Sequence, residues 1–133
     1  MAVERIRTGG CLCGAVRYEV RGEPNQSGLC HCQTCRRITG SAFSATANWR
    51  ADQFQISGEI RTFEKRSFYP VCGSRLFYFL QDGVEVFLGT LDDAPNAIMP
   101  TVEVWTVRRE PWLAPVIGAI PHDKNEIPFC RSL

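Results

Sequence analysis

The chain has 133 residues, the size of one ordinary domain, so we expect one hydrophobic core. Hydrophobic residues make up 44% and charged residues 22%, which predicts a folded chain and not a disordered one. The 15 basic and 14 acidic residues leave a net charge of +1, so we expect no nucleic-acid partner. No apolar stretch approaches the roughly 20 residues that span a bilayer, and none follows the charged N-terminus, so we expect neither a membrane segment nor a secretory signal.

Short strands are the main predicted elements, because apolar and polar residues alternate between Gly, Pro and Asp turns. Hairpin-type turn residues occupy 57–59 and 81–83, and the chain after Pro111 is rich in Pro and Gly, so we expect 114–133 to be mostly irregular. The pattern predicts an all-β fold. In chain order the elements are a strand at 15–20, a helix of one or two turns at 33–38 before Gly40, and strands at 43–49, 53–56, 60–64, 75–80, 84–89 and 101–107. The aromatic residues predicted to supply the core are Phe63, Phe68, Phe77, Tyr78, Phe79 and Phe87.

Cysteine is unusually frequent, with seven in the chain. Without an expected export signal, this number indicates the reducing cytoplasm, where clustered cysteines are more often metal ligands or reactive thiols than disulfides. The odd number also argues against a fully paired disulfide framework. Six of them fall into three groups, which are Cys11 with Cys13, then Cys30 with Cys32 and Cys35, and then Cys72.

The middle group combines C-x-C and C-x-x-C spacing within six residues. Zinc binds thiolates at about 2.3 Å in tetrahedral geometry, and three protein ligands with one open position are typical of a catalytic or exchangeable zinc. Arg36 and Arg37 follow directly and can pair with an anionic substrate. We therefore predict a metal site here, although a C-x-x-C pair alone is equally consistent with a redox dithiol.

The two histidines and the seventh cysteine are not predicted to be metal ligands. The side chain of His31 is expected to point away from its neighbouring sulfurs in an extended segment, so we interpret it as a residue behind the ligands or on the surface. His122 lies in a Pro-rich loop and is predicted to be solvated, and Cys130 is predicted to be a free thiol.

At these motifs the chain resembles the glutathione-dependent formaldehyde-activating enzymes and the related centromere protein V proteins. The resemblance runs from about residue 9 to residue 113. Its motifs are the segments 10–18, 30–37, 68–74, 89–92 and 100–112.

The resemblance implies a single zinc-binding β-tent domain over residues 1–133, with small packed antiparallel sheets and one or two zinc ions. It implies a labile, catalytic zinc on Cys30, Cys32 and Cys35. It also implies a structural zinc on Cys11, Cys13, Cys72 and the residue three before Cys72. That residue is Tyr69, and a phenol is a poor ligand at neutral pH, so we expect a weakened or absent structural zinc.

A second departure from the family pattern is Glu103, where members often carry histidine. Neither the residue's role nor the oligomeric state follows from the sequence.

Our first hypothesis for the function is a zinc-dependent carbon–sulfur lyase, similar to an S-hydroxymethylglutathione synthase. Its substrate would be a small-molecule thiol adduct, with glutathione as co-substrate, zinc at the middle group and Arg36 or Arg37 on a substrate carboxylate. One alternative is a non-enzymatic zinc scaffold or interaction module. Another is a thiolate protein for redox or metal buffering, and all three share the same motifs.

Overall fold

The computed structural model describes residues 4–125, in which eleven strands and one α-helix can be placed. The helix is α1 (Gln33–Thr39), and short 3-10 turns cover Ala51–Gln53, Leu88–Thr90 and Thr106–Arg108. The strands are β1 (Ile6–Gly10), β2 (Arg17–Arg21), β3 (Gln26–Cys30), β4 (Ser44–Arg50), β5 (Phe54–Ser57), β6 (Arg61–Phe63), β7 (Arg66–Phe68), β8 (Arg75–Phe79), β9 (Gly83–Phe87), β10 (Val102–Val104) and β11 (Ile120–Pro121).

The described residues divide into two compact units. The first unit contains residues 4–25 and Ala47–Ala97, and the second contains Gln26–Thr46 and residues 98–125. The chain passes between them within β4. The single-domain organisation implied by the resemblance stays a prediction.

The first unit is built from two antiparallel arrangements. In one, β2 pairs with β1 on one side and with β5 on the other. In the second, β6, β7, β8 and β9 pair in succession. The ring of Phe77 is fully buried and meets Tyr18 at 5.1 Å and Phe54 at 5.0 Å between centroids, both edge to face. These aromatic contacts form the centre of the unit's core.

The second unit is organised around β10, which pairs in parallel with both β3 and β11. Helix α1 follows β3 after two residues and is capped by Gly40. Gly40 adopts a left-handed conformation with φ of 66° and donates its N–H to the Arg36 carbonyl at 2.9 Å. After β10, Trp105 is also left-handed, with φ of 60°, and the chain turns into the 3-10 segment Thr106–Arg108.

The all-β prediction is confirmed, since strands make up 39% of the described chain, which contains one short helix. The hairpin at 81–83 is also confirmed, because β8 and β9 pair across it. The expected irregular character of the tail agrees with residues 114–125, where β11 is the only strand. The β-tent description stays a prediction.

The hairpin predicted at 57–59 is wrong, because β5 pairs with β2 and β6 pairs with β7. Gly58 lies directly against the start of β2, where a Cβ would meet the Ala15 carbonyl oxygen at 2.3 Å. The turn residues therefore serve a close backbone approach and do not reverse the chain into a hairpin. The strand predicted at 101–107 ends at Val104, because the left-handed Trp105 interrupts the extended backbone.

The helices between residues 4 and 125 lack the length and apolar character needed to cross a membrane.

Replacement of Phe77 should remove the centre of the aromatic core. We expect Phe77→Ala to lower the free energy of unfolding by about 3–5 kcal/mol, because the ring is fully buried. The predicted core residue Phe63 is in fact 65% exposed, so Phe63→Ala should change the same quantity by less than about 0.5 kcal/mol. Urea unfolding of both variants measures the difference, and equal losses would contradict this description of the core.

Candidate metal-binding sites

Cys30, Cys32 and Cys35 form a compact group in the second unit, which we call the buried triad. Their Sγ atoms all lie within 4.8 Å of one another, and the residues are 1%, 0% and 7% exposed. The end of β3 supplies Cys30, the residue that caps α1 supplies Cys32, and the first turn of the helix supplies Cys35. The middle group predicted from the sequence therefore converges, and it can hold a metal ion.

Backbone groups fix the buried triad from two directions. The Cys35 N–H donates to the Cys32 sulfur at 3.3 Å, so this sulfur caps the helix and accepts a donor that would otherwise be unpaired. The His31 N–H donates to the Val104 carbonyl at 3.1 Å. His31 lies between the end of β3 and the start of α1. Val102 and Val104 form one buried cluster with the three cysteines, and Trp105 packs against that cluster. The triad thus lies in an apolar pocket with at least one hydrogen bond directed at sulfur.

A buried carboxylate lies behind the triad. Glu103, only 1% exposed, contacts His31 Nε2 through Oε1 at 3.0 Å. Its Oε2 accepts from Arg109 Nη2 at 3.2 Å and from the Val116 N–H at 2.9 Å. Burial alone would raise the pKa of Glu103, but the hydrogen bonds from Val116, His31 and Arg109 outweigh it and hold the pKa below its usual range. The carboxylate is therefore ionised and fixes the His31 ring.

His31 is 1% exposed, so it lies behind the predicted ligands and not on the surface. Its second ring nitrogen, Nδ1, is buried without a hydrogen-bond partner among the described residues. Sequence reasoning placed no role on Glu103 or Arg109. The signal for Glu103 was its departure from the family pattern, and its burial in β10 explains why the side chain has partners.

The two predicted substrate-binding arginines are both engaged with neighbours. Arg36 Nη1 donates to Glu110 Oε1 at 3.3 Å and to the Arg108 carbonyl at 3.4 Å. Arg37 donates to the side-chain oxygen of Gln33 at 2.9 and 3.1 Å when that amide is oriented to accept.

A cavity of about 330 Å³ adjoins Arg36. It is lined by Arg36, Val107, Arg108, Arg109 and Glu110, all in the second unit. The sequence analysis did not identify Arg108 and Arg109 as residues that line a cavity. The run of charged residues Arg108-Arg109-Glu110 was the pattern that could have indicated them. The cavity is thus lined by three arginines and one glutamate, next to the helix that carries Cys35.

Cys11, Cys13 and Cys72 form a second compact group in the first unit, which we call the surface triad. Their Sγ atoms also lie within 4.8 Å of one another, with Cys11 and Cys13 at 3.7 Å, so this group can hold a metal ion as well. Cys11 is buried, but Cys13 is exposed and Cys72 is half-buried. The two triads therefore have the same number of thiols and different access to solvent.

Two turns hold the surface triad. In the first turn the Gly14 N–H donates to the Cys11 carbonyl at 3.1 Å, and the Val16 N–H donates to the Cys11 sulfur at 3.3 Å. In the second turn the Gly73 N–H donates to the Tyr69 carbonyl at 2.8 Å, and Gly73 has φ of 78°, a conformation that favours glycine. The backbone at Tyr69 thus closes a turn around Cys72 even though residue 69 is not a cysteine.

Ser74 joins the two turns. Its Oγ accepts from the Leu12 N–H at 2.8 Å and lies 3.4 Å from the Cys72 sulfur. Because the hydroxyl accepts from Leu12, its proton is available to the sulfur. The Ser74 side chain, followed by backbone donors, lowers the pKa of Cys72 to about 6.

Cys13 behaves differently from Cys72. The Ala15 amide lowers the pKa of Cys13, but desolvation and the neighbouring sulfurs raise it by more, so the pKa lies above its ordinary value. Cys72 is therefore the first of these two thiols to ionise. Sequence reasoning missed Ser74, whose signal was its place within the Cys72-Gly73-Ser74 motif.

The other predictions have mixed outcomes. His122 follows β11 and is half-buried, so it is not fully solvated as predicted. Its backbone N–H donates to the Glu103 carbonyl at 2.8 Å. Cys130 lies outside the described residues.

Comparison with known proteins gives consistent matches. A family model described as the glutathione-dependent formaldehyde-activating enzyme matches residues 6–108. A curated relative from Schizosaccharomyces pombe, named an uncharacterized lyase, is 31% identical over 80 residues. That match covers 56% of this chain and only 58% of the relative. A crystal structure of a Rhodobacter sphaeroides protein is similar in fold, with a TM-score of 0.52 at 19% identity, covering 86% of this chain and 98% of that one.

Removal of the Ser74 hydroxyl should make Cys72 harder to ionise. In metal-free protein the thiolate of Cys72 should form above pH about 6, so its alkylation should already be fast at pH 7. In Ser74→Ala the midpoint of alkylation against pH should move upward toward the ordinary thiol value, because a donor to the thiolate is lost. Iodoacetamide labelling read by peptide mass spectrometry separates Cys72 from Cys13. An unchanged Cys72 midpoint would show that Ser74 does not set its ionisation.

Truncation of Glu103 should be costly because it leaves Arg109 and His31 without their shared buried partner. We expect Glu103→Ala to lower the free energy of unfolding of metal-free protein by about 3–5 kcal/mol. Glu110→Ala is the matched control, since Glu110 is 37% exposed and its pair with Arg36 contributes about 0–1 kcal/mol. Chemical denaturation measures both, and similar values for the two variants would contradict the role given to Glu103.

Proposed function

Because the chain belongs to the glutathione-dependent formaldehyde-activating enzyme family, we propose that it is a zinc-dependent carbon–sulfur lyase that acts on a glutathione adduct or a similar thiol adduct. The lyase name of the Schizosaccharomyces pombe relative supports the reaction class. The observation that carries the proposal is the buried triad, in which three thiols converge with no fourth cysteine among the described residues. Three protein ligands with an open position are the arrangement of a catalytic zinc.

The donor set fits zinc. Three cysteine sulfurs within 4.8 Å match the compact geometry that thiolate coordination requires. The Cys35 N–H supports the Cys32 sulfur as a thiolate, and the apolar packing of Val102 and Val104 limits access of water. When bound, zinc supplies Lewis-acid polarisation of a substrate oxygen or stabilisation of a substrate thiolate.

The arginines next to the triad are assigned to substrate binding. Arg36 lies on the cavity with Arg108 and Arg109, and a guanidinium pairs with a carboxylate through two parallel hydrogen bonds. A thiol substrate that carries a carboxylate would replace Glu110 as the partner of Arg36. Arg37, on the same helix, adds positive charge. These contacts would hold the carboxylate end of the substrate next to the helix that carries Cys35.

The proposed chemistry needs no oxidant. In the synthetic direction a C–S bond forms between the substrate sulfur and the formaldehyde carbon, while the C=O π bond breaks. The thiol proton ends on the former carbonyl oxygen, which becomes a hydroxyl group. The lyase direction is the reverse of these changes, so atoms and electrons balance in both directions.

A second zinc on Cys11, Cys13 and Cys72 is part of the proposal, held by three thiols because residue 69 is a tyrosine and not a cysteine. We also infer a cytoplasmic location from the seven cysteines, which occur in clusters of the kind that bind metals in reducing compartments. The partner expected is a small-molecule thiol.

Loss of the Cys32 sulfur should abolish the activity. Zinc-loaded protein should accelerate formation of the hemithioacetal from glutathione and formaldehyde, and Cys32→Ser should return the rate to that of the uncatalysed reaction. Ser41→Ala, an exposed hydroxyl just beyond the same helix, is the control and should match the original protein. The rate can be followed by NMR exchange between free and adduct carbon. Acceleration that survives in Cys32→Ser would refute the assignment of the buried triad.

A further inference from the structure

The two triads differ in solvent access, and this difference bears on how each would release a metal ion. Every cysteine of the buried triad is at most 7% exposed. In the surface triad Cys13 is exposed and Cys72 is half-buried. A chelator or an incoming ligand must approach the metal before it can remove it, so access favours exchange at the surface triad.

The donor set at the surface triad does not complete a structural zinc site. A structural site is closed by four protein ligands, and the described residues supply three thiols. Tyr69 stands where C-x-x-C spacing would place a fourth sulfur, and a phenol is not among the thiolate, imidazole and carboxylate ligands that close structural zinc sites. A four-cysteine closed site is therefore not what this chain presents.

The surface triad is nevertheless held together without a fourth ligand. The Val16 N–H supports the Cys11 sulfur, and Ser74 ties the Leu12 backbone to the Cys72 side chain. These contacts join the two turns through groups that are not ligands. The site can therefore lose a metal ion and keep its sulfurs near one another.

We propose that the surface triad is an exchangeable site for a thiophilic metal ion, with its fourth position open to an external soft ligand such as a small thiol. The buried triad is the one that retains its ion longer. This reverses the order of lability that the family resemblance implies. The inference rests on the metal binding proposed above, and the test below separates the two.

Metal release can be timed in the zinc-loaded full chain with a colorimetric chelator in excess. The original protein should release zinc in a fast phase and a slow phase. Cys13→Ser should lose the fast phase and keep the slow one, whereas Cys32→Ser should lose the slow phase and keep the fast one. Tyr69→Cys should keep both ions and lose the fast phase, because a fourth thiol closes the site.

The open position has a spectroscopic test. Cobalt(II) added to Cys32→Ser occupies the surface triad alone, and a small thiol such as 2-mercaptoethanol should shift its visible absorption bands. The same addition to the double variant with Tyr69→Cys should leave the spectrum unchanged, because the fourth position is taken.

Three results would overturn the inference. Release in a single slow phase would show that the surface triad is not exchangeable. A fast phase that persists in Cys13→Ser and disappears in Cys32→Ser would place the labile ion in the buried triad. Failure of the original protein to bind any metal would remove this inference together with the proposed function.

Discussion

Three sulfur atoms held within 4.8 Å of one another are the constraint on which both candidate sites depend. Thiols that ionise to bind a metal repel one another at such distances, and hydrogen-bond donors to sulfur reduce that repulsion. The donors come from backbone turns, namely the helix cap at Cys35 in one site and the turn at Val16 in the other. At the buried triad β3 ends at Cys30, and at the surface triad β1 ends one residue before Cys11.

The surroundings of the buried triad combine apolar packing with one buried charge. In strand β10, Val104 packs in the cluster that contains the three cysteines, whereas Glu103 contacts His31. Alternate residues of this short strand therefore supply apolar packing and a buried charge. The left-handed Trp105 then turns the chain so that Arg109 returns to the same carboxylate. A non-glycine residue in this conformation costs free energy, and the ion pair that it permits lies directly behind the candidate site.

Sequence reasoning succeeded where the signal was local. The cysteine spacing, the end of α1 at Gly40 and the hairpin before Gly83 each depend on a few adjacent residues. It failed where distant segments meet. Nothing local indicates that β3 pairs in parallel with β10, or that Ser74 bridges to Leu12. The wrong hairpin prediction at 57–59 has the same origin. Gly58 is required there because it lies against the backbone of Ala15, which is distant in the sequence, and not because the chain reverses locally.

The ion pair of Glu103 with Arg109, and its contact with His31, also constrain how this sequence can change. A histidine at position 103 would leave the Arg109 guanidinium facing an imidazole in a buried place. Loss of Arg109 first would leave the carboxylate with fewer donors. Substitution of Glu103 alone or of Arg109 alone should therefore lower the stability of the protein. We expect residues 31, 103 and 109 to change together in evolution. Related chains that keep Glu103 should keep Arg109, while chains with histidine there should carry a different residue at position 109.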